Sequence, residues 1–257
     1  MKKLLFRADD LGYSEGVNYG IEKSVKAGLI RSVGVMMNMP ATEHGIALLQ
    51  ESDIAFGQHT NICIGRPLSD PKTIPSLVDE SGQFKSSKVY RQAQEDFVVF
   101  DEALIEINAQ YQQFLSYFQR KPDYFEGHAI ASATFFKALE HFAATHGLTY
   151  SGLPAGAEPN ALKADAFIFV NQTKVYLTME SMNPAYNPYA TFSQLVENLH
   201  DDGVHMMIFH PGYLDAFLLE NSSLVVPRTQ EVVFLTDPKI ATYLKEEKIE
   251  CIDYRAF

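Results

Sequence analysis

The chain has 257 residues, 46% of them apolar, and 32 acidic against 21 basic side chains, a formal net charge of -11. That apolar content suffices for a globular core, while the acidity and the lack of any local Lys/Arg cluster exclude the electrostatic footprint of a nucleic-acid binder. The apolar run after Lys2 and Lys3 ends at Arg7, Asp9 and Asp10, too short for a signal segment or a membrane span, so no membrane partner and a cytoplasmic location are expected.

Short runs rich in Val, Ile and Phe alternate with stretches of helical period. A strand is predicted from Lys3 to Ala8, a helix from Ser14 to Ala27, a strand from Val33 to Asn38, a helix from Thr42 to Glu51 and a strand from Ile54 to His59. The longest periodic stretch, Val89 to Phe118, carries an apolar stripe suited to covering a core. There follow a strand from Asp123 to His128, a helix from Ala133 to His146, a strand from Ala166 to Val170 and a helix from Thr191 to His200. The series closes with strands from Val204 to His210 and Ile249 to Asp253 around a helix from Pro238 to Glu247. Ser14 and Thr42 suit helix caps, Gly28 and Gly147 suit helix stops, and Pro238 suits a first turn. Cys63 and Cys251 lie far apart in apolar runs and read as buried thiols in a reducing compartment.

No internal repeat or linker marks a boundary, so one domain over residues 1–257 is expected. Repeated strand–helix units fit a closed (β/α) barrel or a doubly wound open sheet, and the length is near that of a typical barrel. The first turn, Asp9-Asp10-Leu11-Gly12, lacks a Gly-rich phosphate loop and sets two negative charges where a pyrophosphate would sit, which argues against a dinucleotide site.

Polar residues recur at predicted strand ends: Asp9 and Asp10, Asn38, His59, His128 and His210. In a parallel barrel those ends converge on the face that holds the active site. One carboxylate and two imidazoles can hold a divalent cation with positions left open, and Asp10, His59 and His128 are the candidate ligands. Neighbours on a strand point oppositely, so Asp9 is free to be a base unless the chain turns there. His44, His141, His146, His200 and His205 are expected to be structural or solvated, and Glu95, Asp96, Glu102 and Asp201 to lie on charged helix faces.

Several segments at these positions resemble the YdjC-like carbohydrate deacetylases, the family of the chitooligosaccharide deacetylases. They are Ala8-Asp9-Asp10-Leu11-Gly12 with Gly16-Val17-Asn18, and Gly57-Gln58-His59-Thr60-Asn61 with Gly65 and Pro67. Pro75 to Asp79 with Gly82, His210-Pro211-Gly212-Tyr213, Arg228 with Glu231-Val232, and Leu235 to Pro238 extend the likeness over nearly the whole chain. The resemblance implies a distorted (β/α) TIM-like barrel of the glycoside hydrolase/deacetylase type, a homodimer, and a divalent ion usually described as Mg2+. It also implies that Asp10, His59 and His128 hold that ion and that Asp9 is the base. The two imidazoles suit Zn2+ as well. Two departures stand out: Ile130 and Ser132 replace later histidines of the fourth-strand motif, and Arg7 stands where the family more often has Asn.

The expected activity is hydrolysis of the N-acetyl group of an amino sugar or short oligosaccharide, with Asp9 taking the water proton and His210 supplying one to the leaving amine. Three rivals share the residues. A glycoside hydrolase would use two of Asp9, Asp10, Glu126 and Asp215. The others are a sugar-binding homologue without catalysis and a metal-dependent hydrolase of a phosphate or another amide.

Overall fold

In a computed structural model of the chain, residues 2–154 and 166–257 are described. In chain order the elements are β1 (Lys3–Leu11), α1 (Glu15–Lys26), β2 (Ser32–Val35), α2 (Thr42–Leu49), β3 (Ala55–Thr60), α3 (Ser87–Gln92), α4 (Phe100–Phe118), β4 (Tyr124–Gly127) and α5 (Ala133–His146). They continue with β5 (Phe167–Val170), β6 (Thr173–Thr178), α6 (Pro188–Glu197), β7 (Val204–Phe209), α7 (Ala216–Asn221), α8 (Val226–Leu235), α9 (Pro238–Glu246) and β8 (Glu250–Ile252), with short 3-10 turns at Pro71–Thr73 and Tyr254–Ala256.

The strands form one curled sheet in the order β4-β3-β2-β1-β7-β6-β5, and every pairing is parallel except that of β5 with β6. β8 pairs with the first residues of β1, Lys3 to Leu5, while β2 takes Arg7 to Leu11. The predicted α/β barrel architecture is therefore present in a half-barrel form, with β4 and β5 as the two edges of the strand order among the described residues. β1 is buried along almost its whole length, as a strand with parallel neighbours on both edges and cover on both faces must be.

The pleat sorts β1 into two columns. Leu4, Phe6 and Ala8 pack with α1 and α2 in a core under the outer helices, while Leu5 joins Ala55, Tyr124, Met206 and Tyr254 inside the curl. The next residues of the inner column are Arg7 and Asp9. The same period on β3, β4 and β7 stacks His59 above Gly57, Glu126 above Tyr124, and Ile208 above Met206, so the inner surface is apolar at the bottom and charged at the top.

Several expectations change. The stretch Val89 to Phe118 breaks into α3 and α4, because Ala93 turns to extended backbone. Asp96, expected on a helix face, lies in the link and accepts hydrogen bonds from Ser132 Oγ (2.9 Å) and the Thr134 amide (2.9 Å). Thr42 is not a cap; its hydroxyl donates to the Met36 (2.6 Å) and Met39 carbonyls. Ser14 does cap α1, and Gly147 ends α5 with φ 60°. Cys251 is exposed rather than buried, since β8 pairs on one side with only three residues of β1; Cys63 is buried. β6, α7 and α8 lie outside the predicted elements.

Gly57 is where the inner column admits no side chain, because a Cβ there would stand 2.3 Å from the Tyr124 ring. That ring in turn stacks on Tyr254 at 3.8 Å. Gly57→Ala should cost about 1–3 kcal/mol, the usual penalty for overpacking a rigid core. Urea denaturation checks this, and an unchanged midpoint would show that the Tyr124–Tyr254 stack can move aside.

Candidate metal centre and catalytic site

The turn that ends β1 decides where its two carboxylates point. Asp10 adopts φ 77°, and the register against β2 slips between Ala8 and Leu11, a bulge that re-aims a side chain at a sheet end. Asp9 stays in the inner column and Asp10 is turned to join it. Both are buried.

Asp10 Oδ1 lies 3.2 Å from His59 Nε2 and 3.0 Å from His128 Nδ1, and those two nitrogens are 2.9 Å apart. The three predicted ligands are thus brought together, one from the end of β1, one from β3 and one just beyond β4. Donors that bind one ion at about 2.0–2.2 Å with angles of 90–110° lie about 2.8–3.6 Å from one another. The observed spacings fit that range. Asp10 Oδ1 is moreover a buried oxygen with no hydrogen-bond partner, as a metal-directed atom would be.

A second set of contacts orients the first. The other nitrogen of His59, Nδ1, is in short contact with Glu126 Oε1, an arrangement that fixes the ring and raises its basicity. Arg228 Nη2 donates to Asp10 Oδ2 (2.7 Å), and its Nε and Nη1 donate to the carbonyls of Leu224 and His210. Arg7 Nη2 donates to Asp9 Oδ2 (2.7 Å), while Asp9 Oδ1 has no hydrogen-bond partner. Gly34 leaves the room beside Asp9: a Cβ there would be 3.0 Å from Oδ1.

His210 follows β7 at the same rim. Its Nδ1 is 3.2 Å from Ser181 Oγ, and its amide donates to Glu231 Oε2 (2.6 Å), whose other oxygen accepts from the Tyr186 hydroxyl. Burial pushes the imidazole down to about 4, against the upward pull of Asp10 and Asp9, so His210 is neutral near pH 7. The predicted proton donor therefore has to gain its proton during the reaction.

Asn38 is not part of this group; its amide braces the loop after β3 through the Ile64 and Arg66 carbonyls. The expected structural histidines are so placed: His44 bonds Asn18, His146 stacks on Phe142, and His200 and His205 stack on Tyr176. Asp215 caps α7 and accepts from the Gly16 amide, which removes it from a glycosidase pair. The sequence reading gave no positioning role to Arg7, Arg228, Glu231 or Glu126. The spacing Arg7-Ala8-Asp9 and Glu126-Gly127-His128 carried a usable signal, since residues two apart on a strand share a face.

A family model described as YdjC-like protein matches residues 3–246. A carbohydrate deacetylase of Clostridium beijerinckii is 30% identical over 98% of this chain and 99% of its own length. Carbohydrate deacetylase 2 of Listeria innocua is 28% identical over 98% and 97%. Among solved structures, a provisionally described cellobiose-phosphate cleavage protein of Enterococcus faecalis V583 superposes with a TM-score of 0.83 at 22% identity, covering 99% of this chain and 98% of that one, and shares its fold.

Burial disfavours a charged His128, yet Asp10 outweighs it and lifts the imidazole to about 9; Glu126 and Asp9 likewise raise His59 against burial. Near pH 7.5 the His128 ring therefore carries a proton that an entering cation must displace. Calorimetric titration with Zn2+ in buffers of differing ionisation enthalpy should show release of about one proton or more per ion. No proton release would mean that the imidazoles are not the ligands.

Proposed function

The chain belongs to the YdjC-like protein family, and from that membership and the geometry of the site we propose that it is a metal-dependent carbohydrate N-deacetylase. The observation that carries the reading is the convergence of the buried Asp10 Oδ1 with two imidazole nitrogens, both within 3.2 Å of it. The proposed substrate is an acetylated amino sugar or a short oligosaccharide containing one, a reading supported by the relatives named as carbohydrate deacetylases. A homodimer in the cytoplasm is the expected setting.

Asp10, His59 and His128 would hold a divalent ion, Mg2+ by the family resemblance or Zn2+ by the two imidazoles. When bound, such an ion supplies Lewis acidity toward the acetyl carbonyl and lowers the pKa of water. Arg228 holds Asp10 ionised by taking Oδ2, which leaves Oδ1 as the binding atom. Glu126 holds the His59 ring so that Nε2 faces Asp10. Asp9 is the proposed base. Arg7 occupies its Oδ2, so the proton of the attacking water is held at Oδ1.

Attack of the water oxygen on the acetyl carbon is followed by cleavage of the C–N bond, and the nitrogen leaves with a proton. His210 is the proposed donor of that proton. Because it rests neutral, it must first receive one, and the proton taken from water by Asp9 is the available source. The products are acetate and a free amine. Ser181 Oγ steers the ring from the Nδ1 side.

Stripping divalent ions with a chelator should abolish acetate release from N-acetylated chitooligosaccharides, and restoring single ions should rank Mg2+ against Zn2+. In the metal-loaded enzyme Asp9→Asn should lower turnover by on the order of 10²-fold or more with metal content unchanged. Turnover near wild type in that variant would remove Asp9 from the mechanism.

His210→Ala should slow amide hydrolysis more than hydrolysis of an acetyl ester, whose alkoxide leaving group depends less on a positioned acid. Equal losses on both substrates would argue for a structural role. Shortened oligosaccharides with intact acetyl groups would overturn the deacetylase reading.

A further inference from the structure

We propose that the Arg7 guanidinium is a built-in cation that closes a second ion position, formed by Asp9, His59 and Glu126, and confines the divalent ion to Asp10, His59 and His128. The inference rests on the metal reading above. Its starting point is that the same His59 belongs to two buried groups of potential ligands: Asp10, His59 and His128 in one, Asp9, His59 and Glu126 in the other, the ligand atoms of each lying within 4.8 Å of one another. Nε2 faces the first group and Nδ1 faces Glu126 in the second. Without a further cation, two carboxylates and an imidazole in a dry interior would themselves attract one.

Arg7 supplies that cation. Its Nη2 is 2.7 Å from Asp9 Oδ2 and 3.6 Å from Glu126 Oε2, so one positive nitrogen serves both carboxylates. The guanidinium is held from behind: Nη1 donates to the Tyr254 hydroxyl (3.1 Å), which is also 2.6 Å from Ser151 Oγ, and the Tyr254 ring is clamped on Tyr124. Arg7 is 4% exposed and cannot swing into solvent. A guanidinium stays charged at any pH the protein meets, so it repels a divalent ion permanently, which a protonated imidazole does not.

Closing the second position has a chemical consequence. An ion there would draw negative charge from the Asp9 carboxylate, weakening it as an acceptor of the water proton, and would take His59 Nδ1, removing the hydrogen bond that aims Nε2. Arg7 occupies Oδ2 alone and leaves Oδ1 unpaired. It is a positioning residue for the base and also sets the number of ions bound.

The test is a visible-absorption titration of the full chain with Co2+, supported by equilibrium dialysis with Zn2+. Wild type should saturate at one equivalent. Arg7→Gln, which removes the charge, should take a second equivalent and lose turnover on the order of 10-fold or more. Arg7→Gln/Asp9→Asn, lacking both members of the ion pair, should return to one equivalent. A single equivalent in folded Arg7→Gln overturns the proposal, as does a second equivalent in wild type, an outcome that needs no variant to fold. Arg7→Met stands in if Arg7→Gln yields no folded protein. A wild type that binds no ion overturns the metal reading itself, and is thereby distinguished from failure of this inference alone.

Discussion

Three carboxylates, those of Asp9, Asp10 and Glu126, share a volume from which solvent is almost excluded, and the need to neutralise them governs the arrangement around it. An unpaired buried charge is costly enough that the protein must supply a partner or let the group take up a proton. Two guanidiniums arrive from opposite directions, Arg7 from two residues before Asp9 and Arg228 from α8 near the other end of the chain. Two fixed positive charges against three negative ones leave a deficit of one, which draws His59 and His128 toward holding protons. A divalent ion can replace those protons. Affinity for such an ion would thus be a property of the whole charge cluster, with the buried Asp10, His59 and His128 as its proposed ligands.

The supporting structure follows from that requirement. Layers of Leu5, Ala55, Tyr124, Met206 and Tyr254 fill the bottom of the curl and exclude water from below, so the charges above interact at low dielectric. Gly34 and Gly57 keep the column narrow enough for Tyr124 to reach across. The α3–α4 link adds a further tie, with Asp96 holding Ser132 and Thr134 at the start of α5. Ser132, which stands where the resembling family more often has a histidine, therefore caps a helix and anchors the loop that carries His128.

Much of this was legible in the residues because both periodicities are simple. A run such as Lys-Leu-Leu-Phe-Arg-Ala-Asp-Asp identifies a buried strand, and histidines at the ends of other such runs must meet if the strands are parallel. The Arg7–Asp9 and Glu126–His128 spacings were readable on the same basis. Contacts at long sequence separation were not: nothing local in Arg228 says that it will meet Asp10, 218 residues away. The break in Val89 to Phe118 was hidden because its apolar residues keep a helical period, while the competing attraction of Asp96 for Ser132 and Thr134 comes from another part of the fold. The exposure of Cys251 depends on how few residues β8 pairs with, which its own apolar neighbours do not reveal.

The left-handed backbone at Asp10 carries a cost of its own. A non-glycine residue in that region gives up about 1–2 kcal/mol, and here it does so in the central strand, where regular pairing would otherwise be most favourable. Glycine would relax the backbone and asparagine would tolerate it, yet neither supplies an anionic oxygen. Selection for a stiffer, more heat-resistant chain and selection for turnover therefore pull in opposite directions at this one position. A descendant that abandoned hydrolysis while keeping the fold could recover that backbone cost only by replacing Asp10 and Arg228 together, since the buried guanidinium would otherwise lose its carboxylate partner.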